Sequence, residues 1–91
     1  MIVLILERVP PSLRGELSRW LIEPKTGVFI GKLSAMVRDK LWEKCINSAK
    51  AGSVVMVWNY NNEQGFQIKS HGINARSIVD LDGLILIKKL K

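Results

Sequence analysis

The chain has 91 residues, 47% of them hydrophobic and 24% charged, so it is long enough for one globular domain and is not a disordered polypeptide. Its net charge of +6 suits nucleic acid or an anionic membrane surface, although basic proteins that bind neither also have such a charge. It has one cysteine and no apolar run near the roughly 20 residues of a membrane span, so we expect a cytoplasmic protein without an intrachain disulfide.

The first half of the chain predicts a strand, a helix, a hairpin and a second helix. The apolar run IVLIL, residues 2–6, predicts a strand covered on both faces. A helix follows, which begins either after a Ser12 cap or with Pro11 in its first turn. A short edge strand, a turn at 26–27 and a strand over 28–30 lead to a helix capped by Ser34. The two helices have apolar stripes at Leu13, Leu17, Trp20 and Leu21, and at Val37, Leu41, Cys45 and Ala49.

The second half predicts three strands, SVVMVWNY, FQIKS and LILIKKL, after Gly52 ends the second helix. We expect the segment HGINARSIVDLDG to be a polar loop. This order of elements predicts an α+β fold, a ferredoxin-like βαββαβ sandwich with an extra C-terminal strand, in a single domain over residues 1–91. Both helices would cover one face of an antiparallel sheet, and a second copy of the sheet is the simplest cover for the other.

Few side chains suit catalysis or metal binding. Glu7 ends the first strand, where its carboxylate suits Mg²⁺, an ion pair with a nearby cation such as Arg8, or a solvated turn. The pair Asp80 and Asp82 suits a metal if both lie on a strand, or a turn set by Asp82 and Gly83. We expect the only histidine, His71, to be a hydrogen-bonded loop residue and Cys45 to be a packed thiol.

The aromatic and basic residues favour binding over catalysis. Trp20, Trp42 and Trp58 lie on helix stripes or in a buried strand, so we expect all three in the core. A scattered basic set suits the phosphates of a duplex backbone, which require positive charge and no base-reading geometry. Its members are Arg14, Arg19, Lys25, Arg38 and Arg76.

Several motifs together resemble a known family. VPPxLRGxL, GVFIGxLS, NNEQGF and DLDGL, with their spacing over residues 2–87, are similar to the type I-E form of the small CRISPR adaptation protein (the Cas-two family). The resemblance implies a ferredoxin-like homodimer whose sheets face each other. It also implies that the dimer bridges two dimers of the CRISPR-associated integrase and holds the middle of a captured double-stranded DNA fragment during spacer acquisition.

The resemblance also assigns roles to single positions. Glu7 matches a metal-binding aspartate and Arg14 matches an arginine that contacts DNA. Lys25 matches a basic turn residue, and Arg76 matches one of a basic pair. Ser12 and Met36 stand where relatives carry further cations, and Arg38 is placed to compensate for the second. The C-terminal strand and tail, residues 84–91, match the segment that docks on the integrase, through Leu84, Ile85, Leu86 and Ile87.

Three functions therefore remain open. The first is a non-catalytic DNA-binding scaffold of CRISPR adaptation. The second is a magnesium-dependent endoribonuclease or nuclease acting through Glu7, because the family carries that assignment. The third is a toxin-like ribonuclease or another small ferredoxin-like module outside CRISPR, because this fold hosts many functions.

Overall fold

Two helices pack on one face of a five-stranded antiparallel sheet in this computed structural model, which describes residues 1–50, 52–72, 77–81 and 84–88. The five strands are β1 (Ile2–Glu7), β2 (Ile22–Lys25), β3 (Val28–Gly31), β4 (Ser53–Asn59) and β5 (Phe66–His71), and the helices are α1 (Pro11–Leu17) and α2 (Ala35–Ser48). The strand order β2-β3-β1-β4-β5 places β1 in the centre, antiparallel to both neighbours. This arrangement confirms the predicted α+β, ferredoxin-like fold.

The central strand β1 has two different faces, although its sequence is apolar on both. Ile2, Leu4 and Leu6 are buried, whereas Val3 is half-buried and Ile5 is 37% exposed. Successive side chains of a strand point to opposite sides of the sheet, so the even-numbered residues face the helices. Within the described part of the chain, one face of β1 is thus covered and the other is not.

The core lies between that face and the helix stripes. Leu4 stands opposite Phe29 on β3 and Met56 on β4, and all three are buried. Cys45 is completely buried, which confirms that it is a packed thiol, and this burial raises its pKa to about 11. The helices contribute the buried residues Leu13, Leu17, Leu41 and Cys45 to this core.

The structure decides between the two predicted starts of the first helix. Pro11 occupies the first helical position, and Pro10 stands at the N-cap without a side-chain hydrogen bond, so Ser12 is not the cap. The second helix begins as predicted, because the Ser34 hydroxyl accepts a hydrogen bond from the Val37 amide at 3.3 Å.

The second helix ends earlier than predicted. α2 stops at Ser48, and Lys50 adopts the left-handed conformation, with φ of +51°. A lysine thus takes the conformation that glycine usually supplies at a helix end, and the prediction that Gly52 ends the helix is wrong.

A strand replaces part of the segment that was predicted to be a polar loop. β6 (Ser77–Leu81) pairs antiparallel with β7 (Leu84–Lys88), which confirms the predicted last strand, and the two form a separate sheet. The sequence does carry this signal, since Ile78 and Val79 favour strands and Asp-Gly is a typical two-residue hairpin turn. Arg76 and Asp82 lie outside the described residues.

Two glycines give opposite predictions on substitution by alanine. A Cβ at Gly52 would lie 2.5 Å from the carbonyl oxygen of Glu7 and 2.7 Å from that of Arg8, whereas a Cβ at Gly15 meets nothing within 4 Å. We expect Gly52→Ala to lower the free energy of unfolding by more than about 1 kcal/mol, because the backbone has to move. Gly15→Ala should raise it by about 0.5–1 kcal/mol, because alanine favours a helix. Urea denaturation measures both values, and shifts of the same sign would contradict the prediction.

Candidate nucleic-acid interface

An ion pair joins the first helix to the second strand. The Arg14 Nη2 and Nε atoms lie 3.0 and 3.2 Å from Oε2 of Glu23, and the same oxygen accepts a hydrogen bond from the Gly27 amide at 2.8 Å. A single carboxylate oxygen therefore connects α1 with the turn between β2 and β3. We name Arg14, Glu23, Lys25 and Gly27 the turn cluster.

The turn itself is held against the central strand. The Leu6 amide donates a hydrogen bond of 2.7 Å to the Gly27 carbonyl, and a Cβ at Gly27 would lie 2.5 Å from the Leu6 carbonyl oxygen. Gly27 also has φ of +82°, so a residue without a side chain is required there. Lys25 ends β2 and is exposed. The structure thus brings two of the predicted cations, Arg14 and Lys25, to one turn.

The charge of Arg14 is only partly balanced within the turn cluster. The hydrogen bond from the Gly27 amide has the largest effect and lowers the pKa of Glu23. Burial, the next largest effect, opposes it, and the hydrogen bond and charge of Arg14 lower the pKa further. The Arg14 side chain keeps 37% of its surface exposed, and its Nη1 makes no hydrogen bond within the described part of the chain. Arg14 is therefore an oriented cation with donors left for an anion.

The remaining predicted cations lie in other elements. Arg19 is exposed in the turn after α1, while the guanidinium carbon of Arg38 lies 4.7 Å from the centre of the Trp58 ring. Arg38 also donates a hydrogen bond of 3.2 Å to Asp39, and its side chain is only 22% exposed. The Nζ atom of Lys69 lies 5.6 Å from the centre of the same ring, and Lys69 is not among the cations predicted from the sequence. Arg38 is held by a cation–π contact, so it is less available to a phosphate than Arg19.

The tryptophans divide into core and surface. Trp58 is buried and Trp42 is half-buried, whereas Trp20 is 53% exposed, so its assignment to the core is wrong. The reason is the length of the helix: α1 ends at Leu17, and Trp20 lies in the following turn, where helical spacing no longer applies. Leu21 takes the buried place.

Glu7 stands at the end of β1 as an exposed carboxylate. It makes no hydrogen bond or ion pair with the described residues, and those residues contain no group of three His, Cys, Asp or Glu side chains placed to hold a metal. Mg²⁺ takes one or two carboxylates plus water and phosphate oxygens, so Glu7 fits one ligand position and the others must come from elsewhere. A magnesium site at Glu7 stays a prediction. His71 ends β5 and does not lie in a loop.

The face of the sheet that points away from the helices is apolar. Val3 stands opposite Ile30 and Val57, and Ile5 stands opposite Val28 and Val55. None of these side chains is fully buried. We name these six residues the open face. A contiguous apolar surface of this kind is typical of a site of interaction with another protein.

A comparison with protein families identifies the group to which this fold and these motifs belong. A family model described as CRISPR-associated protein (Cas_Cas2CT1978) matches residues 1–86. The chain belongs to this family. The match includes both helices, the five-stranded sheet, the turn cluster and the open face. It confirms the CRISPR-associated part of the resemblance seen in the sequence, while the type I-E assignment stays a prediction.

Within the part of the chain that the structure describes, neither helix has the length and apolar character that crossing a bilayer demands.

The lowered pKa of Glu23 makes one contribution to stability depend on pH. Because folding favours the charged carboxylate, this contribution is complete above the ordinary pKa of 4.5 and is lost as the pH falls through the lower folded value. We expect Glu23→Gln to be less stable than the wild type at neutral pH and the difference to shrink on acidification. Urea denaturation over a pH series measures it, with Glu63→Gln, at an exposed glutamate, as the matched control. A difference that stays constant with pH would contradict this role of Glu23.

Proposed function

We propose that two copies of this chain associate through their open faces and form a basic scaffold for double-stranded DNA in CRISPR spacer acquisition. The observation that carries this proposal is the turn cluster. It holds Arg14 in a fixed orientation beside the exposed Lys25, in a chain of net charge +6 from a CRISPR-associated family. The type I-E form of the family is the subtype that we propose for it.

The turn cluster suits a phosphate backbone better than a base edge. Backbone binding needs positive charge at fixed positions and carries no sequence information. An arginine already ordered by Glu23 loses little side-chain entropy when it meets a phosphate. The phosphate shares Arg14 with the carboxylate, so each contact is weak alone and the affinity comes from many cations. Arg19, Arg38 and Arg76 are the further members of this proposed surface.

The open face supports the homodimer. A domain of 91 residues has a small core, and an apolar sheet face left in water adds no stability. A two-fold axis places the same patch of each copy against the other, so one apolar face covers its twin. Glu7 follows Val3 and Ile5 at alternate positions of β1 and therefore lies on this side of the sheet.

The C-terminal hairpin supports docking on the integrase. β6 and β7 form a two-stranded sheet, so β7 has a single neighbour among the described strands. A strand with an unpaired edge is a template for pairing with another chain. We propose that Leu84 to Ile87 dock on the integrase and that the dimer bridges two integrase dimers.

A magnesium-dependent nuclease is the second candidate. The exposed carboxylate of Glu7, without a hydrogen bond or ion pair to the described residues, favours it. Glu7 would hold the metal, and bound magnesium would supply charge stabilisation at a phosphate.

Neutralising the turn cluster should weaken DNA binding in a salt-dependent way. We expect Arg14→Gln and Lys25→Gln each to lower affinity for a short duplex and to reduce the slope of log K against log salt by about 0.9 per lost phosphate contact. In a two-fold dimer each substitution removes the contact twice. Fluorescence anisotropy with and without the integrase measures the slope.

Lys32→Gln is the matched control for that titration, because Lys32 is an exposed cation outside the proposed set. It should leave the slope nearly unchanged. Equal slopes for all variants would count against the DNA scaffold. Cleavage of RNA or DNA in magnesium that Glu7→Gln abolishes would favour the nuclease instead.

A charge on the open face should separate the two copies. We expect Ile5→Asp to weaken the dimer by more than roughly a hundredfold, since burying an unpaired carboxylate costs on the order of 3 kcal/mol or more. The 37% exposure of Ile5 lets the single chain tolerate the change, which circular dichroism checks. Sedimentation velocity measures the association, with Met36→Asp, at a 66% exposed position on α2, as the control. Equal dissociation of both variants would contradict the proposed interface.

A further inference from the structure

A groove lies between the end of α1 and one side of α2. It encloses about 430 Å³, within the range of sites that hold a ligand or a few side chains. Its lining residues are Glu16, Trp20, Val37, Lys40, Leu41 and Lys44. Because both helices pack on the covered side of the sheet, an association through the open face leaves this groove accessible.

The groove combines an apolar floor with an exposed aromatic wall. Val37 and Leu41 are four residues apart on α2 and therefore adjacent on its surface. Trp20 leaves 53% of its surface in water, an unusual exposure for the largest apolar side chain in a small domain. Tryptophan is enriched among the residues that dominate binding energy at protein interfaces. The groove thus offers an aromatic anchor beside an aliphatic surface.

The edge of the groove is positively charged. Lys44 Nζ lies 2.8 Å from Oε1 of Glu16. The one carboxylate among the described lining residues is therefore already paired, and the pair ties α1 to α2. Lys40 makes no hydrogen bond or ion pair with the described residues. Arg19 directly precedes Trp20 in the chain and is exposed. The unpaired charge at this edge of the groove is therefore positive.

We infer that this groove binds a segment of a partner protein in which a large apolar side chain is flanked by carboxylates. The apolar side chain packs on Trp20 and the aliphatic floor, while the carboxylates face Lys40 and Arg19. This inference goes beyond the proposed DNA scaffold. It shares Arg19 with the proposed DNA-binding cations, but neither the turn cluster nor the open face takes part. It adds a second kind of partner on the helix side of the molecule.

A single-stranded nucleic acid is less suited to the groove. Proteins that bind single strands stack successive bases on several aromatic side chains along a basic channel. Here one tryptophan stands beside an aliphatic floor, and Val37 and Leu41 have no side-chain groups that hydrogen-bond base edges.

Three synthetic peptides test the charge and the apolar anchor separately. All carry leucine and tryptophan at helical spacing, and the remaining positions are glutamate in one peptide, lysine in the second and serine in the third. Oligothymidylate is the nucleic-acid probe. The ¹⁵N-labelled full chain is titrated with each, and the Trp20 indole N–H signal reports the groove. We expect the glutamate peptide to shift the signals of Trp20, Val37 and Leu41, and the lysine peptide to leave them unchanged.

Variants assign the site. Trp20→Ala and Lys40→Glu should each weaken the glutamate peptide by roughly tenfold or more, whereas Tyr60→Ala and Lys32→Glu should not. Tyr60 is the matched aromatic control, at 52% exposure, and Lys32 is the matched cation. Circular dichroism confirms that each variant folds. Equal binding by the lysine peptide, equal binding to Trp20→Ala, stronger shifts with oligothymidylate, or no shift with the glutamate peptide would each overturn the inference.

Discussion

The central strand is apolar on both faces, but the chain supplies helices for one face alone. Ile2, Leu4 and Leu6 fill the core, and the alternation of a strand then forces Val3 and Ile5 to the other side. One pairing register sets both faces of β1, because a shift of the strand by one residue would exchange its core-facing and outward-facing side chains. The same register that builds the core thus creates the surface on which a second copy is proposed to pack. The groove between α1 and α2 lies on the opposite, helix side of the sheet.

Glu23 shows how the fold holds a cation in a fixed orientation. One oxygen of its carboxylate accepts hydrogen bonds from both the Gly27 amide and Arg14. The conformation of the turn and the orientation of the arginine therefore depend on the same group. A carboxylate beside the proposed DNA-binding arginine would lower affinity, since it attracts the cation that a phosphate would need. In exchange the guanidinium is ordered before the ligand arrives. That arrangement suits a scaffold, which has to hold a duplex in one position more than it has to hold it tightly.

Periodicity predicted the elements of this chain well where the packing is regular. The stripe of α2 and the alternation of β5 follow from local spacing, and the fold follows from their order. The errors occur where an element ends. Helical spacing placed Trp20 on a stripe that stops at Leu17. The polar residues of the segment HGINARSIVDLDG led to the prediction of a loop where β6 forms. The turn cluster was harder to predict from the sequence than the fold. Arg14 and Glu23 are nine residues apart in different elements, and only the tertiary structure brings them together. Pairing across elements leaves no periodic signal in a sequence.

The position of Arg19 implies that the two proposed surfaces influence each other. It belongs to the proposed DNA-binding set, and it directly precedes Trp20 of the groove. A phosphate bound to Arg19 reduces the positive potential over the groove and so weakens an acidic segment there. By thermodynamic reciprocity, an acidic segment in the groove weakens DNA by the same factor. Salt screens this effect, since Arg19 is exposed, so the coupling is small at physiological ionic strength. The two proposed partners are therefore compatible with each other, and neither interferes with the proposed pairing of the open faces.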